Sequence, residues 1–178
     1  RRIQSLVTDT ASGKIIYAGT DVGIYRSEDS GKTWLQTNQG LFDQHIHSIV
    51  IDPKDSDTIY AGTGRGVFKS EDAGDTWSEW FDESAGLTHS KIYDLVLHPE
   101  DSDILFSATD GGVFQSLDAG ENWEPVFTDQ SIRIIKFSAS NPDILYASGT
   151  SGIFRSKTRG RDWSPVWKNV LPNVTNLT

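Results

Sequence analysis

Short apolar runs, separated by polar turn residues, recur along the whole chain. Each run is rich in β-branched and aromatic residues and is bounded by glycine, aspartate or serine, which is typical of β-strands. The first four runs are residues 3–7 (IQSLV), 15–19 (IIYAG), 23–27 (GIYRS) and 33–37 (TWLQT). No stretch shows a sustained helical period. The pattern predicts an all-β fold in which four short strands form one unit.

This unit is repeated four times. An eight-residue box marks each copy, and we number the boxes 1 to 4: SEDSGKTW at 27–34, SEDAGDTW at 70–77, SLDAGENW at 116–123 and SKTRGRDW at 156–163. An opening isoleucine (Ile3, Ile46, Ile92, Ile132) precedes an aromatic residue (Tyr17, Tyr60, Phe106, Tyr146) by 14 residues in every copy, and that aromatic precedes the box tryptophan by 17. Such constant spacing indicates a unit whose strand register tolerates no insertion.

Four strands repeated in this way are typical of the blades of a β-propeller. The blades are predicted at approximately 1–44, 45–90, 91–130 and 131–172. Residues 173–178 are predicted to be the first strand of a fifth blade, because Val174 and Leu177 continue the opening pattern. The fold class is therefore an all-β propeller with four antiparallel strands per blade, an arc of a larger ring of about seven blades. The alternative is a ring that a second copy completes.

Each box contains the residues of a self-contained turn. The carboxylates of Asp29, Asp72 and Asp118 are expected to accept hydrogen bonds from backbone N–H groups of their own turn, the glycines to adopt a positive φ, and the tryptophans to pack between blades. Thr158 replaces the aspartate in box 4, so that turn is predicted to be the weakest. A metal or acid–base role for the aspartates is the less favoured alternative. The predicted structural residues are Ser27, Asp29, Gly31, Trp34, Ser70, Asp72, Gly74, Trp77, Ser116, Asp118, Gly120, Trp123, Ser156, Gly160 and Trp163.

The box resembles the Asp-box of bacterial-neuraminidase-type (BNR) repeats, and the resemblance covers essentially the whole chain. Proteins with such repeats include sialidases, xyloglucan-type glycoside hydrolases, sortilin-type receptors, and photosystem II assembly and stability factors with their bacterial relatives. The segment IYAGTDVGIYRSEDSGKTW looks most like the last group and like the xyloglucan hydrolases. The resemblance implies a propeller that binds protein partners or assists complex assembly in a periplasm, a lumen or the cell exterior.

Composition narrows the function classes. The net charge of −9, from 25 acidic and 16 basic residues, argues against binding to nucleic acid or to an anionic membrane surface. The absence of cysteine excludes disulfides and thiolate metal sites, and no cofactor is predicted. No apolar run approaches the roughly 20 residues of a membrane-spanning helix. The chain contains no methionine, even at position 1, which indicates processing or a longer parent chain.

All length variation between the copies falls in one connection, from the fourth strand of a blade to the first strand of the next. From each box tryptophan to the next opening residue the intervals are 12, 15, 9 and 11 residues, and the loops are predicted at 36–45, 79–91, 126–131 and 166–173. Binding residues tend to lie on such loops. The candidate binding residues are Trp80, Asp82, Glu83 and His89 in the longest loop, Arg65 and Asp110 in adjacent turns, and Arg159 and Arg161 in box 4, where a basic cluster could receive an acidic partner.

The sequence contains no complete catalytic set. His45 and His47 lie two residues apart, but no third ligand is evident and no metal site is predicted. The prediction is a non-enzymatic binding scaffold with protein partners. A glycan ligand, or origin as a fragment of a glycoside hydrolase, is the alternative, and self-association through open blade edges is a further option. The only plausible carboxylates for hydrolysis are Asp43, Asp82, Glu83 and Asp129.

Overall fold

The computed structural model describes residues 1–9, 13–79, 86–89, 91–128 and 130–168, and the strands found there form four sheets. Blade 1 contains β1 (Ile3–Thr8), β2 (Ile16–Thr20), β3 (Gly23–Ser27) and β4 (Leu35–Gln36). Blade 2 contains β5 (Ile46–Ile51), β6 (Ile59–Thr63), β7 (Val67–Ser70) and β8 (Ser78–Glu79). Blade 3 contains β9 (Ile92–His98), β10 (Asp101–Thr109), β11 (Gly112–Ser116) and β12 (Glu124–Thr128). Blade 4 contains β13 (Ile132–Ser138), β14 (Asn141–Gly149), β15 (Gly152–Ser156) and β16 (Ser164–Lys168).

Every blade is an antiparallel meander whose strands pair in chain order. The register is the same in each copy, since Leu6 pairs with Ala18 in blade 1 and Ile49 pairs with Ala61 in blade 2. The prediction of an all-β propeller with four-stranded blades is confirmed. The predicted fifth-blade strand at 173–178 lies outside the described residues.

The first strands of consecutive blades lie side by side, in the order β1, β5, β9, β13, and line a central groove. One polar side chain per blade bridges to the next. Ser5 Oγ accepts a hydrogen bond from the Ile49 N–H at 3.0 Å, and Ser48 Oγ accepts one from Leu95 N–H at 3.1 Å. In the third contact an Asp94 carboxylate oxygen takes this part and accepts from Ile135 N–H at 3.1 Å. These bridges connect inner strands that share no sheet.

The hydrophobic core lies between blades rather than within them. We call the side of a blade that faces the following blade its front face, and the other side its back face. The front face of blade 1, with Tyr17 and Ile24, packs against the back face of blade 2, with Ile46, Ile49 and Trp77. Blades 2 and 3, and blades 3 and 4, repeat this arrangement. Trp34 differs from the expectation that box tryptophans pack between blades, because no described residue covers the back face of blade 1 and its ring is partly exposed.

The box turns show the hydrogen bonds that their residue types allow. In box 2, Asp72 Oδ1 accepts from the Thr76 N–H at 2.8 Å and Asp72 Oδ2 accepts from the Thr76 hydroxyl, while Ser70 Oγ accepts from Gly74 N–H at 2.8 Å. Boxes 1 and 3 repeat this network. In box 4 the hydroxyl of Thr158 accepts from Asp162 N–H at 2.9 Å. Threonine has one side-chain oxygen where the aspartates of the other boxes have two.

Two consecutive residues of each box, not the glycine alone, have a positive φ. Glycine follows Ser30, Ala73, Ala119 or Arg159, whose φ values are 61°, 56°, 56° and 54°. The left-handed region costs a residue with a Cβ roughly 1–2 kcal/mol, so the hydrogen bonds of the turn offset a local strain.

The boxes and the variable connections lie at opposite ends of the strands. We call these ends the box face and the variable face. On the box face, the Ala73 N–H donates to the carbonyl of Asp57 in the preceding turn at 2.9 Å. On the variable face, β12 continues to Thr128 and β16 to Lys168. The predicted loop starts at 36, 79, 126 and 166 were therefore wrong, because each of these residues belongs to a fourth strand that pairs with the third. The described residues contain no helix that could cross a membrane.

Candidate functional site

The second residue of each inner strand contributes to one row of side chains at the variable-face end of the groove, which we call the mouth. The row runs through Gln4, His47, Tyr93 and Arg133. His47 Nδ1 lies 3.3 Å from Gln4 Oε1, and the His47 and Tyr93 rings are 6.4 Å apart. The Arg133 guanidinium carbon lies 3.9 Å from the centre of the Tyr93 ring. The repeat thus places one polar or aromatic group from each of the four blades at the mouth.

Two cations lie against the same tyrosine ring. Lys91 Nζ is 5.2 Å from the ring centre of Tyr93, in addition to Arg133. Each contact is a cation–π interaction. Among the described residues no carboxylate lies within 4 Å of Lys91 or Arg133. The mouth therefore holds two exposed positive charges in a chain of net charge −9.

His47 is half-buried beside these cations. Burial lowers the pKa of His47 below its ordinary value, and the nearby charges of Lys91, His45 and Arg133 lower it further, against an opposing effect of Asp43. Both causes favour the neutral imidazole, which can donate one hydrogen bond and accept another.

Below the mouth the groove has a volume of about 570 Å³ and is lined by the inner strands. Asp94 lies within it, where burial raises the pKa of its carboxyl despite the Lys136 ammonium at 3.2 Å. The same carboxylate accepts hydrogen bonds from the Ser48 hydroxyl at 3.1 Å and from Ile135 N–H. Asp94 therefore connects blades 2, 3 and 4, and these partners account for its position without a ligand.

Two of the predicted binding residues meet in a second, shallower groove of about 410 Å³ on the variable face. His89 and Asp110 both line it. The ring of His89 covers Gly111 so closely that a Cβ there would lie 2.4 Å from Nδ1. Its centre is 5.9 Å from the ring of Phe114, which is buried. His89 and Asp110 are both exposed, and Asp110 lies in the turn between β10 and β11.

The remaining candidates do not join either groove. Trp80, Asp82, Glu83 and the carboxylate candidate Asp129 lie outside the described residues. Arg65 is exposed in the turn between β6 and β7 on the variable face.

Arg159 and Arg161 lie on the box face, so the structure separates them from the mouth. Arg159 Nε donates to Asp143 Oδ1 at 2.5 Å, and this hydrogen bond raises the pKa of the guanidinium. Half of the predicted basic patch is therefore paired within its own blade.

The described residues contain no group of three histidine, aspartate or glutamate side chains placed to bind a metal ion. His45 Nδ1 lies 3.3 Å from Asp43 Oδ1, and the His45 N–H donates to the same oxygen at 3.0 Å. Asp43 is thus engaged in ordering its own loop.

Sequence reasoning missed the row at the mouth. Its four members share no residue type, but each directly follows an opening isoleucine, and this common position was the available signal. A second signal that was missed is a Gly-Leu pair at 40–41 and 86–87, in which the leucine lies five residues before an opening isoleucine. This pair marks a close contact between consecutive blades. Gly40 has a φ of 93° and approaches the backbone of the next box tryptophan, so that a Cβ would lie 1.9 Å from Trp77 O.

Comparison with known proteins gives one family. The family model described as Sortilin, neurotensin receptor 3 (Sortilin-Vps10) matches residues 23–111, which is half of the chain. The chain belongs to the Sortilin-Vps10 family. The match runs from β3 of blade 1 through β10 of blade 3. No curated protein matches this chain at a significant level of sequence similarity.

Solved structures share the propeller fold with this Sortilin-Vps10 chain. An ancestral GH74 enzyme has a TM-score of 0.79 at 21% identity, over 93% of this chain and 24% of its own. YCF48 bound to D1 peptide has a TM-score of 0.65 at 15% identity, over 93% of this chain and 52% of its own. The extracellular domain of a putative hybrid two component system from B. thetaiotaomicron has a TM-score of 0.74 at 15% identity, over 99% of this chain and 23% of its own. The chain thus spans a quarter to about half of these proteins, and at such identities the likeness concerns the fold alone.

Proposed function

We propose that this chain is a non-catalytic binding propeller that engages a protein partner through the variable face, at the mouth formed by Gln4, His47, Tyr93 and Arg133. The observation that carries the proposal is the pair of exposed cations, Lys91 and Arg133, on one tyrosine ring without a carboxylate partner among the described residues. Like charges held close together repel each other, so a ligand group that accepts hydrogen bonds from both would be stabilised there.

Several features support binding rather than catalysis. The described acidic residues near the mouth already accept hydrogen bonds within the protein, because Asp43 orders its loop and Asp94 bridges three blades. Tyr93 and Arg133 are residue types that often dominate protein interfaces. A solved propeller of the same fold, YCF48, is bound to the D1 peptide. An exported location, periplasmic, lumenal or extracellular, accords with the extracellular propeller domain among the similar folds.

Site-specific photo-crosslinking tests this proposal. A photoreactive amino acid is placed at Gln44, an exposed position on the variable face three residues before His47, or at Lys32, an exposed position on the box face. Both variants keep Lys91 and Arg133. In the cells that produce the protein, position 44 should give one discrete adduct that mass spectrometry identifies as a protein, and position 32 should not give that adduct. The same adduct from both positions, or none from position 44, would contradict a partner at the mouth.

The second candidate function is a part of a carbohydrate-active propeller, either a hydrolase fragment or its glycan-binding portion. The groove that holds His89 and Asp110 beside hydroxyl and amide side chains favours it, because such groups can bind sugar hydroxyls. Incubation with xyloglucan oligosaccharides and measurement of new reducing ends distinguishes the candidates. Cleavage by the pure chain that an Asp82→Asn/Glu83→Gln variant lacks would replace the binding proposal with the hydrolase one.

A further inference from the structure

One group in the row at the mouth has a charge that depends on pH near neutrality. His47 lies between Gln4 and Tyr93, and histidine is the side chain whose charge ordinarily changes between pH 5 and 8. The Nδ1 atom of His47 lies 3.3 Å from Gln4 Oε1, and an amide oxygen only accepts hydrogen bonds. In the neutral ring, Nδ1 therefore carries the proton that it donates to Gln4. The other ring nitrogen, Nε2, is left to bind a second proton in acid.

The charged groups that act on His47 come from the elements around it. Lys91, directly before β9, and Arg133 of β13 supply two cations. The loop before β5 supplies His45 and the carboxylate of Asp43. Burial, which is the largest effect, and the adjacent cations lower the pKa of His47 below its ordinary value, so its ring is neutral at pH 7. The mouth then has the two positive charges of Lys91 and Arg133, and protonation of His47 adds a third.

His45, two residues before His47, has different surroundings. Its ring is exposed, and its Nδ1 lies 3.3 Å from Asp43 Oδ1, so that a proton on His45 would complete an ion pair within the loop. Among the residues that the structure describes, no carboxylate oxygen lies within 4 Å of a His47 ring nitrogen. A positive charge on His45 is therefore compensated by Asp43, whereas one on His47 needs a negative charge from a ligand.

We propose that His47 is a proton switch for the mouth, through which an acidic segment of the partner protein binds more tightly in mild acid than at neutral pH. This inference rests on the proposed function and adds the regulation of the same site. A third positive charge beside Lys91 and Arg133 attracts an anion, and the bound anion stabilises the charged imidazole in return. Protonation and binding are thus linked, and each strengthens the other by the same factor.

An acidic peptide tests the switch directly. The probe is a fluorescently labelled peptide of eight aspartates, because aspartate titrates near 3.9 and stays ionised at pH 5. Fluorescence anisotropy should give a dissociation constant at least about fivefold lower at pH 5 than at pH 7.5. His47→Gln puts at this position the residue type that blade 1 already has at Gln4, and it should reduce the ratio to below about twofold. His45→Gln, the matched control, should keep the ratio of the parent chain.

A second pair of variants locates the bound peptide. Arg133→Gln should weaken peptide binding at both pH values, because it removes one of the two permanent charges of the mouth. The control is Arg161→Gln, the same change at an exposed position of the box face, which should bind the peptide like the parent chain. A peptide that is released equally by both substitutions would not be bound at the mouth, and this result would overturn the proposal.

The linkage also has a reading on the histidine itself. The imidazole resonances of His47, assigned in NMR spectra by their absence from His47→Gln, should titrate at a higher pH when the peptide is bound. Equal pH ratios for the parent chain and His47→Gln would overturn the switch, and so would a peptide that binds at neither pH. A protein adduct from position 44 would still support the proposed function in those cases. Absence of that adduct, together with pH-dependent peptide binding, would instead contradict the protein partner and retain the proton-linked anion site.

Discussion

The back faces of blades 1 and 2 have the same residue pattern and different surroundings. Leu6 and Ile49 occupy equivalent positions on the inner strand, yet Leu6 is 62% exposed and Ile49 is 2% exposed. The opening residues differ in the same way, with Ile3 at 64% and Ile46 at 0%. The only difference is the presence of a preceding blade among the described residues. An apolar pattern therefore specifies a face that can be buried, and the neighbouring repeat determines whether it is.

Alanine substitution of the buried and of the exposed inner-strand residue should separate the two back faces most clearly. Ile49→Ala should lower the free energy of unfolding by about 3 kcal/mol, because it leaves a cavity in the core between blades 1 and 2. Leu6→Ala should change it by less than about 0.5 kcal/mol, because that side chain has little burial to lose. Urea unfolding followed by tryptophan fluorescence measures both. Equal losses would mean that the back face of blade 1 is covered in solution.

Two glycines with positive φ, Gly40 and Gly13, have different surroundings. Gly40→Ala should cost more than about 2 kcal/mol, since the new Cβ would collide with the carbonyl of Trp77 in the following blade. Gly13→Ala should cost about 1 kcal/mol, the backbone strain alone, because nothing lies within 4 Å of its Cβ position. The same unfolding assay separates them. Similar values would show that the loop yields to the methyl group.

A smaller effect distinguishes the boxes. Asp72→Ala should lower the free energy of unfolding by about 1.5 kcal/mol, because the carboxylate accepts from both the backbone and the hydroxyl of Thr76. Thr158→Ala should cost about 0.5 kcal/mol, since the threonine hydroxyl receives a single backbone hydrogen bond in its turn. Thermal unfolding monitored by circular dichroism gives the ranking. A larger loss for Thr158→Ala would contradict the prediction that box 4 is the weakest turn.

The pH dependence of stability should show the smallest effect. Hydrogen bonds from Thr33 lower the pKa of Asp29 to about 2, and those from Thr76 lower the pKa of Asp72. The pKa of Asp118 is also lowered, since hydrogen bonds from Asn122 outweigh the effect of burial. An unfolded aspartate titrates near 3.9. Below that pH the unfolded chain binds more protons than the native chain, so the free energy of unfolding decreases as the pH falls toward 2.

Box 4 provides the control for this titration. A variant with threonine at positions 29, 72 and 118, the residue that box 4 already has, should be less stable at pH 7 and should lose less stability between pH 4 and 2. Unfolding curves at several pH values measure the slope. An unchanged slope would assign the acid sensitivity to other carboxylates.

The repeat, the strand order and the turn residues could be predicted because they depend on local signals. Constant spacing from Ile3 to Tyr17 to Trp34 reflects strand register within one sheet, and the box turn closes within four residues of Asp29. The row at the mouth could not be predicted in this way, because Tyr93 and Arg133 meet through the packing of one blade on another. No property of either residue type indicates that contact.

The all-β architecture, the register of the strands and the chemistry of the box turns follow from the amino-acid sequence, since each depends on hydrogen bonds between residues near in the chain. Which apolar faces are buried and which cations meet depends instead on how one blade packs against another. The hydrogen bond from Tyr17 to Ala73 and the ion pair of Arg26 with Asp75 join residues of different blades. The physical reason is that a blade buries its faces against its neighbours, so its neighbours determine what each residue contacts.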